Sequence, residues 1–552
     1  MIIVLLLPTA CGSPSQPPTE KPLPTATQPE PASMPDQGKE LPKGSTDLVS
    51  ASGNCVMCHT GLVDEDGNDA SLDSLWRATM MANAARDPYW LATVSSEILL
   101  QPELTAVIED KCATCHMPLA HFDATTNQQS TLMFNDGFSN PEHPLYELAQ
   151  DGVSCNVCHQ IQPDNFGQPE SFSGHFLIDA EAEERVVYGP FPTSPDLSGS
   201  MQQVSGYLPV QSEHLAESDM CAICHNLYTP YLDAEGNIAG EFPEQVVYQE
   251  WLNSDYASTQ TCADCHMPPA VGEVQMSIMN DATYSPFSLH SFTGANAFIL
   301  KMLAENGEEM QVTAESSHFE DTIKTVTDLL QTRTGTVEII DAERSETGEL
   351  LVSVSVQNLA GHKFPSGYPS RRAWLHLTVR DASDTVLFES GAYQPNGLIL
   401  ENDNDQDPAS YEPHYSSIQT QDQVQIYEII LANTDGEVTT TLLRAAAALK
   451  DNRILPQGFD ISSAQVDIQP QGLAVEDADF IGGGDLVGYQ IDTSTAEGPL
   501  TISVELLYQS VGYRWANNLR SYNTDETDRF IRFYDGMENI PTQVDATEIS
   551  VE

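Results

Sequence analysis

The stretch CATCHMP at residues 112–118 returns almost unchanged as CADCHMP at residues 262–268. Both copies contain two cysteines separated by two residues and followed at once by a histidine. The same pattern occurs five times in all and uses ten of the eleven cysteines of the chain. The five motifs are Cys55, Cys58 and His59; Cys112, Cys115 and His116; Cys155, Cys158 and His159; Cys221, Cys224 and His225; and Cys262, Cys265 and His266. Chance does not produce five such motifs, and the near-identical pair indicates internal duplication.

The spacing within each motif suits the covalent attachment of a porphyrin. Two thiols three positions apart lie on one helical turn, where each can add to a vinyl group of the same haem. The next residue then places an imidazole over the iron as its proximal ligand. A redox or zinc-binding Cys-x-x-Cys would need no histidine at the fifth place, and only Cys11 is left over, so no pair of cysteines remains for a disulfide within the chain. The sequence therefore predicts five haems c, with the motif histidines as proximal iron ligands.

The sixth ligand of each iron decides between electron relay and chemistry on a substrate, because an iron with two protein ligands has no open position. Residues 51–300 contain five histidines outside the motifs, which are the candidates for the distal positions: His121, His143, His175, His214 and His290. Five spare histidines for five irons favour bis-histidine ligation throughout.

Two further residues are alternative distal ligands. Met81 falls in a helix predicted over residues 76–85, and a methionine ligand would raise the potential of one haem. His362, in the stretch GHKFPSG at residues 361–367, falls in a loop between predicted strands and could reach back to a haem. Each has an ordinary alternative, Met81 as an apolar core residue and His362 as a loop side chain.

The chain is strongly acidic. It has 22 Lys and Arg against 81 Asp and Glu, a formal net charge of −59. Such a surface repels phosphate backbones, so nucleic acid is excluded as a partner, and cationic or oxidised redox proteins are favoured. The alternative is that the charge serves only solubility outside the cell.

The first residues suggest a compartment. Residues 2–7 are apolar and are followed by Pro8, Thr9, Ala10 and Cys11, which resembles a bacterial lipoprotein signal. The resemblance implies cleavage before Cys11, a lipid on its sulfur, and attachment to a membrane on the periplasmic or cell-surface side. The alternative is a buried N-terminal strand with an ordinary cysteine.

Composition and periodicity divide the chain into four segments: residues 1–10 as signal peptide, 11–47 as a Pro/Ser/Thr-rich flexible tether, 48–334 as the haem domain, and 335–552 as a β-domain. Helices are expected at residues 76–85, 295–304 and 317–331, the last as a connector. Apolar and polar residues then alternate at 352–356 and 375–379, with further strands at 424–431 and 502–507. The fold class predicted is multidomain: a haem-packed, mostly irregular and α-helical domain followed by an all-β, sandwich-like domain.

One acidic loop resembles a hard-cation site. Asp403, Asp405 and Asp407 alternate with Asn404 and Gln406. Calcium requires six or more oxygens, of which this loop supplies some. The site is therefore a candidate for Ca²⁺, and a solvated acidic turn is the alternative.

Residues 76–303 resemble the multihaem cytochrome c family related to the tetrahaem electron carrier of ammonia oxidisers. The resemblance is carried by WRATMM at 76–81, DPYW at 87–90, DGVSC at 151–155 and HSFTGAN at 290–296. Residues 361–377 resemble the β-domain appended to many bacterial multihaem cytochromes. The resemblance implies close-packed, mostly bis-histidine haems. Related pentahaem nitrite reductases usually bind the catalytic haem through a lysine, whereas all five motifs here end in histidine.

The function expected is electron transfer between redox protein partners at the extracytoplasmic side of a membrane, with an electron carrier favoured over an enzyme. One alternative is an oxidoreductase with one open haem, acting on a nitrogen or sulfur oxyanion. Another is an oligomer, in which the chain is the subunit of an extracellular cytochrome filament.

Overall fold

The computed structural model describes residues 38–552. The predicted signal peptide, Cys11 and most of the predicted tether lie outside the described residues. No helix within residues 38–552 combines the length and apolar character needed to cross a bilayer.

The motif-bearing segment is built from short helices joined by irregular stretches, and each motif lies on a helix or at its end. The α-helices of the described residues are α1 (Gly53–Val56), α2 (Leu72–Arg77), α3 (Pro88–Leu100), α4 (Thr105–His116), α5 (Pro118–Thr126), α6 (Tyr146–Gln150), α7 (Cys155–Cys158), α8 (Pro195–Ser205), α9 (Ser218–His225), α10 (Val247–Leu252), α11 (Cys262–His266), α12 (Ala297–Glu305), α13 (Ser316–Arg333), α14 (Asp403–Gln406), α15 (Tyr513–Asn518) and α16 (Asp525–Gly536). The helices expected at 295–304 and 317–331 are confirmed as α12 and α13.

The helix expected over residues 76–85 is wrong in its extent. Helix α2 ends at Arg77, and a new helix, α3, begins at Pro88. Asp87 starts that helix because its carboxylate accepts hydrogen bonds from the amides of Tyr89 (2.9 Å) and Trp90 (3.3 Å). An aspartate cap followed by proline at the first helical position is a strong start signal. Residues 78–87, which are turns and a short 3-10 helix at Ala84–Arg86, therefore separate two α-helices.

Strands dominate from residue 335 onward. The strands of the described residues are β1 (Arg185–Gly189), β2 (Tyr207–Gln211), β3 (Asn226–Leu232), β4 (Ile238–Val246), β5 (Val274–Gln275), β6 (Thr283–Tyr284), β7 (Gly335–Arg344), β8 (Glu349–Asn358), β9 (Arg372–Arg380), β10 (Val386–Ser390), β11 (Ser417–Ile418), β12 (Ile426–Tyr427), β13 (Ile429–Ala432), β14 (Val438–Thr439), β15 (Ala447–Asp451), β16 (Gly484–Asp492), β17 (Leu500–Gln509) and β18 (Thr542–Val551). The expected strands at 352–356, 375–379, 424–431 and 502–507 are confirmed as parts of β8, β9, β12 with β13, and β17.

Three sheets form the C-terminal segment. One has the order β10-β9-β17-β18 with β12 also paired to β9, the second has the order β11-β16-β8-β7, and the third has the order β14-β13-β15. In the second sheet the antiparallel register places Val354 opposite Val487, and in the first it places Leu377 opposite Val504. These four side chains are buried in one hydrophobic core, so the two larger sheets pack against each other through their apolar faces.

The same core continues into the motif-bearing segment. Leu300 and Leu303 of α12 belong to the cluster that contains the strand residues Val354 and Val504. Residues 35–552 accordingly form one compact unit by their internal contacts. The segments predicted as separate domains, 48–334 and 335–552, thus share one core.

Helices close the C-terminal segment, which corrects the all-β prediction for residues 335–552. Helix α16 packs against α3, where the rings of Phe530 and Tyr89 are 5.3 Å apart. Phe533 and Tyr534 of the same helix are buried as well. The apolar face of α16 therefore covers a helix of the motif-bearing segment.

Candidate functional site

The five motifs surround one cavity of about 2310 Å³. All five motif histidines and nine of the ten motif cysteines line it, the exception being Cys58. Pockets for single small ligands are about 300–1,000 Å³. This cavity therefore has room for several large cofactors.

Four motif histidines are oriented by the backbone. In each, Nδ1 donates a hydrogen bond to a carbonyl oxygen: His59 to Met276 (2.8 Å), His116 to Ala84 (3.0 Å), His159 to Tyr188 (2.6 Å) and His266 to Thr293 (2.5 Å). A carbonyl oxygen can only accept, so Nδ1 carries the proton and the Nε2 lone pair is free for a metal. Histidines that bind metals characteristically show this arrangement.

The fifth motif histidine, His225, has no such hydrogen bond within residues 38–552. It is held at the end of α9 and lines the cavity. Burial, together with the charges of His266 and Arg371, lowers the pKa of His225 to about 4. Burial likewise lowers the pKa of the other four motif histidines, that of His116 to about 4. All five imidazoles are therefore neutral at pH 7, as an iron ligand must be.

The second motif histidine has an aromatic neighbour in the DPYW stretch. The ring of Trp90 lies 4.0 Å from the ring of His116, and the two planes differ by 1°. The stack and the bond to Ala84 together fix the plane of this imidazole. The DPYW stretch therefore combines the start of α3 with the support of His116.

His290 lies opposite a motif histidine. Its ring centre is 6.4 Å from that of His159, and the ring planes differ by 10°. A metal–imidazole bond is about 2 Å long and the nitrogen lies about 1.1 Å from the ring centre, so two imidazoles on one iron have ring centres about 6.2 Å apart. Nδ1 of His290 donates to the Ser288 carbonyl (3.0 Å), which leaves Nε2 free. This separation fits an iron atom between the two rings.

His362 has the same relation to the fifth motif. Its ring centre is 6.3 Å from that of His266, with 10° between the planes. Nδ1 of His362 donates to the carbonyl of Lys363 (2.8 Å), so its Nε2 is free as well. A residue between strands β8 and β9 thus reaches a motif that precedes it by about a hundred positions in the sequence.

A buried ion cluster holds the loop that carries His362. Lys363 Nζ contacts Asp451 (2.6 Å), and Arg453 contacts Asp451 (2.7 Å) and Glu250 (3.0 Å). Glu250 of α10 also accepts hydrogen bonds from the backbone amide of Lys363 and the hydroxyl of Ser366. All four charged side chains are at most 8% exposed. The cluster therefore fastens the His362 loop to a helix of the motif-bearing segment.

Two of the distal candidates have ring nitrogens engaged with protein atoms. Both nitrogens of His214 are hydrogen bonded, to the Ser212 hydroxyl (2.6 Å) and the Ile161 carbonyl (2.9 Å). His121 Nε2 contacts the Asp110 carboxylate at 3.0 Å. The structure does not pair either ring with that of a motif histidine.

The three remaining candidates, His143, His175 and Met81, do not face the ring of a motif histidine either. His143 is partly exposed, and its Nδ1 accepts from the amide of Leu145 (3.1 Å). His175 is exposed at the edge of the cavity, and Met81 lines the cavity wall. The structure thus brings two of the seven distal candidates, His290 and His362, opposite motif histidines.

Cysteines of different motifs lie side by side. The thiols close enough to shift each other's pKa are Cys55 with Cys155, Cys115 with Cys224, and Cys221 with Cys262. Cys158 lies close enough to Cys221 and Cys224 to raise their pKa values. The first motif therefore adjoins the third, and the fourth adjoins the second, third and fifth.

The acidic loop proposed for Ca²⁺ does not fit a cation. Both carboxylate oxygens of Asp405 contact the guanidinium of Arg372 at 2.9 Å. Asp407 accepts hydrogen bonds from the amide of Ala409 and the hydroxyl of Ser410. A carboxylate that faces a buried arginine is satisfied already and lies beside a positive charge.

A second acidic group contains a histidine. Ligand atoms of His414, Asp477 and Asp485 lie within 4.8 Å of one another. Nδ1 of His414 accepts hydrogen bonds from the side-chain amides of Gln425 (3.0 Å) and Asn452 (3.1 Å). The proton of this imidazole therefore lies on Nε2, which donates a hydrogen bond to the Asp477 carboxylate. With its lone pair already used, this imidazole is a hydrogen-bonded core residue rather than a metal ligand.

The overall fold has a similar counterpart among solved structures. A crystal structure of a penta-heme cytochrome c552 from Thermochromatium tepidum is similar in fold, with a TM-score of 0.50 over 91% of this chain and 98% of that chain, at 16% sequence identity. No family model and no curated protein matches the sequence.

Proposed function

We propose that this chain carries five covalently attached haems c and transfers electrons through them. The supporting observation is that all five motif histidines line one cavity, four with Nδ1 bonded to a carbonyl and Nε2 free. Haem supplies the one-electron chemistry by cycling between iron(II) and iron(III). The cysteines hold the porphyrins in place, and the histidines bind the irons in a neutral, oriented form.

The thiol contacts support a connected arrangement of the attachment sites. Sites one and three adjoin through Cys55 and Cys155, and sites four and five adjoin through Cys221 and Cys262. Site four also adjoins site two, and Cys158 connects it to site three. We infer the order one, three, four, five, with site two as a branch from four. Closely adjoining sites are what an electron relay needs.

For two of the irons we propose a distal ligand. His290 serves the third site and His362 serves the fifth, because each ring centre lies at the separation expected for two imidazoles on one iron. Bis-histidine ligation keeps an iron low-spin and closed to substrate, which suits electron transfer.

The compartment and anchor are proposed from the sequence. Cys11 and the apolar residues before it favour export and lipid attachment, with the body facing the periplasm or the exterior. The net charge of −59 favours cationic redox proteins as partners and disfavours nucleic acid.

The haem content can be tested by native mass spectrometry of protein expressed with haem-maturation enzymes. The mass should exceed that of the processed chain by five haems, and Cys155→Ser with Cys158→Ser should remove one. An unmodified mass would overturn the proposal.

The distal ligands can be tested by electron paramagnetic resonance, where His290→Ala should convert one low-spin haem to high-spin. His143→Ala, which removes a histidine without a facing imidazole, is the matched control and should leave the spectrum unchanged.

A second candidate function is that of an oxidoreductase with one open haem, on a nitrogen or sulfur oxyanion. The fourth motif favours it. Like His59 and His116, His225 has no histidine ring facing it at the separation expected for two imidazoles on one iron, within residues 38–552, and it is the one motif histidine without a hydrogen bond from Nδ1 to a carbonyl there. Arg371 lies near His225, and the buried hydroxyl of Tyr508, which lines the same cavity, has no hydrogen-bond partner in the described chain. Uniformly low-spin haem in the oxidised wild-type protein would eliminate this candidate. A high-spin component that binds cyanide or nitrite would support it.

A further inference from the structure

Exposed apolar side chains surround the first motif. Met57, Val63, Val271, Ile278 and Met279 are each about half exposed or more, and Met279 is 70% exposed. We call these five residues the first-motif patch. Grouped exposed apolar residues mark interaction surfaces more often than isolated ones do.

Hydrogen bonds join the two chain segments that carry the patch. The amide of Ile278 donates to the carbonyl of Cys58 (3.0 Å), and Nδ1 of His59 donates to the carbonyl of Met276 (2.8 Å). Further along, the amide of Glu65 donates to the carbonyl of Val271 (3.1 Å). The segment that follows the first motif is therefore joined along its length to residues 271–279.

The patch lies where an attachment site approaches the surface. Cys58 is the one motif cysteine that does not line the central cavity. Its neighbours Met57 and Ile278 are 52% and 53% exposed. The thioether side of the first haem consequently lies near the apolar surface, and the first site is one end of the inferred order.

Carboxylates border the patch, and cations are absent from its segments. Glu65, Asp66, Glu273 and Asp281 are exposed. The sequence has no lysine or arginine from residue 56 to 76 or from 270 to 300. The border is therefore negative, which attracts a positively charged protein surface and repels anionic lipid.

We propose that the first-motif patch is the docking site of a cationic redox protein, such as a small cytochrome with lysines around its exposed haem edge. This rests on the proposed electron-transfer function. The apolar centre excludes water between the two cofactor edges, while the surrounding carboxylates steer and orient the partner. Interfaces of this kind are small and short-lived, below about 1,200 Å² in total.

The test is the second-order rate of electron transfer from the dithionite-reduced, full-length protein to a cationic monohaem cytochrome c, followed by stopped-flow absorbance. Ile278→Lys places a positive charge in the patch, and Ile340→Lys is the matched control, because Ile340 is also 53% exposed but lies on β7. At low ionic strength the Ile278→Lys rate should fall about tenfold and the Ile340→Lys rate by less than about twofold. The wild-type rate should fall steeply with added salt.

Equal rates for the two variants, or a wild-type rate that does not depend on salt, would overturn the docking site. A wild-type dimer on size-exclusion chromatography that Ile278→Lys separates into monomers would overturn it too, because a second copy would then occupy the patch. Haem content and full reduction are measured on every preparation. A protein without haem refutes the proposed function, whereas a fully reducible protein with unchanged rates refutes only the docking site.

Discussion

Replacing Lys363 with methionine removes one charge from a buried cluster of two cations and two carboxylates. The Lys363 side chain is fully buried, and its Nζ lies 2.6 Å from Asp451. After the substitution, Arg453 alone faces Asp451 and Glu250, so the cluster has a net charge of −1 away from solvent. Breaking a buried ion pair on one side costs about 3–5 kcal/mol, and we expect that loss in the free energy of unfolding.

A double-mutant cycle separates this charge effect from lost packing. Asp451→Asn alone leaves the cluster with a net charge of +1 and should cost a similar amount. The double variant restores neutrality, since Arg453 and Glu250 remain paired at 3.0 Å. The two losses should therefore be less than additive by about 2–3 kcal/mol. Guanidinium unfolding followed by far-ultraviolet circular dichroism measures all four proteins.

The same variants report on iron ligation. Lys363 follows His362 directly and accepts its Nδ1 hydrogen bond through the backbone. Loosening the loop should therefore raise the high-spin fraction of one haem in Lys363→Met and lower it again in the double variant. If each single variant costs less than about 1 kcal/mol and the two losses simply add, the account of the cluster as the anchor of His362 is refuted.

Three smaller changes give further tests. Asp87→Ala removes the cap of α3 and should lower the free energy of unfolding by about 1 kcal/mol, measured by thermal or chemical unfolding. Asp87→Asn should retain most of the stability that the cap provides. Trp90→Leu removes the ring stacked on the second motif histidine and should alter the g-values of one low-spin haem, while the haem count by mass stays at five. Burial opposes the charged form of His376, but its hydrogen bonds to Glu505 and Glu389 outweigh burial and raise its pKa. The folded state thus gains stability that is fully present below about pH 6.5 and is lost as the pH rises through the raised pKa. His376→Gln should flatten the dependence of the melting temperature on pH in that range, and an unchanged dependence would contradict this role.

The Cys-x-x-Cys-His motifs are recognisable in the sequence because haem attachment requires two thiols and an imidazole at fixed spacing, and their role as attachment sites stays a prediction. Two thiols and an imidazole within one helical turn form a local pattern, and the helices that carry it are short. Strands β8 and β17 were equally predictable, since their apolar residues alternate with polar ones. Both kinds of signal depend only on neighbouring residues.

The distal ligands were much harder to identify. His214 and His290 are equivalent in the sequence, yet one has both nitrogens hydrogen bonded to protein and the other faces His159. His362 faces His266 from a loop that is held by contacts such as the pair of Lys363 with Asp451, a residue 88 positions away. Which ring faces a motif histidine depends on such distant contacts. The carbonyl groups that orient the motif histidines are backbone atoms, which no residue type marks.

The position of His362 bears on how this protein can be divided. A gene fragment that stops after α13 would encode all five Cys-x-x-Cys-His motifs and would look, by inspection, like a self-sufficient cytochrome. It would lack the imidazole opposite His266 and the aromatic side chains of α16 that cover α3. Under the proposed ligation the C-terminal segment is therefore part of the haem-binding machinery, and recombination or truncation at this boundary would leave the fifth site without its second imidazole.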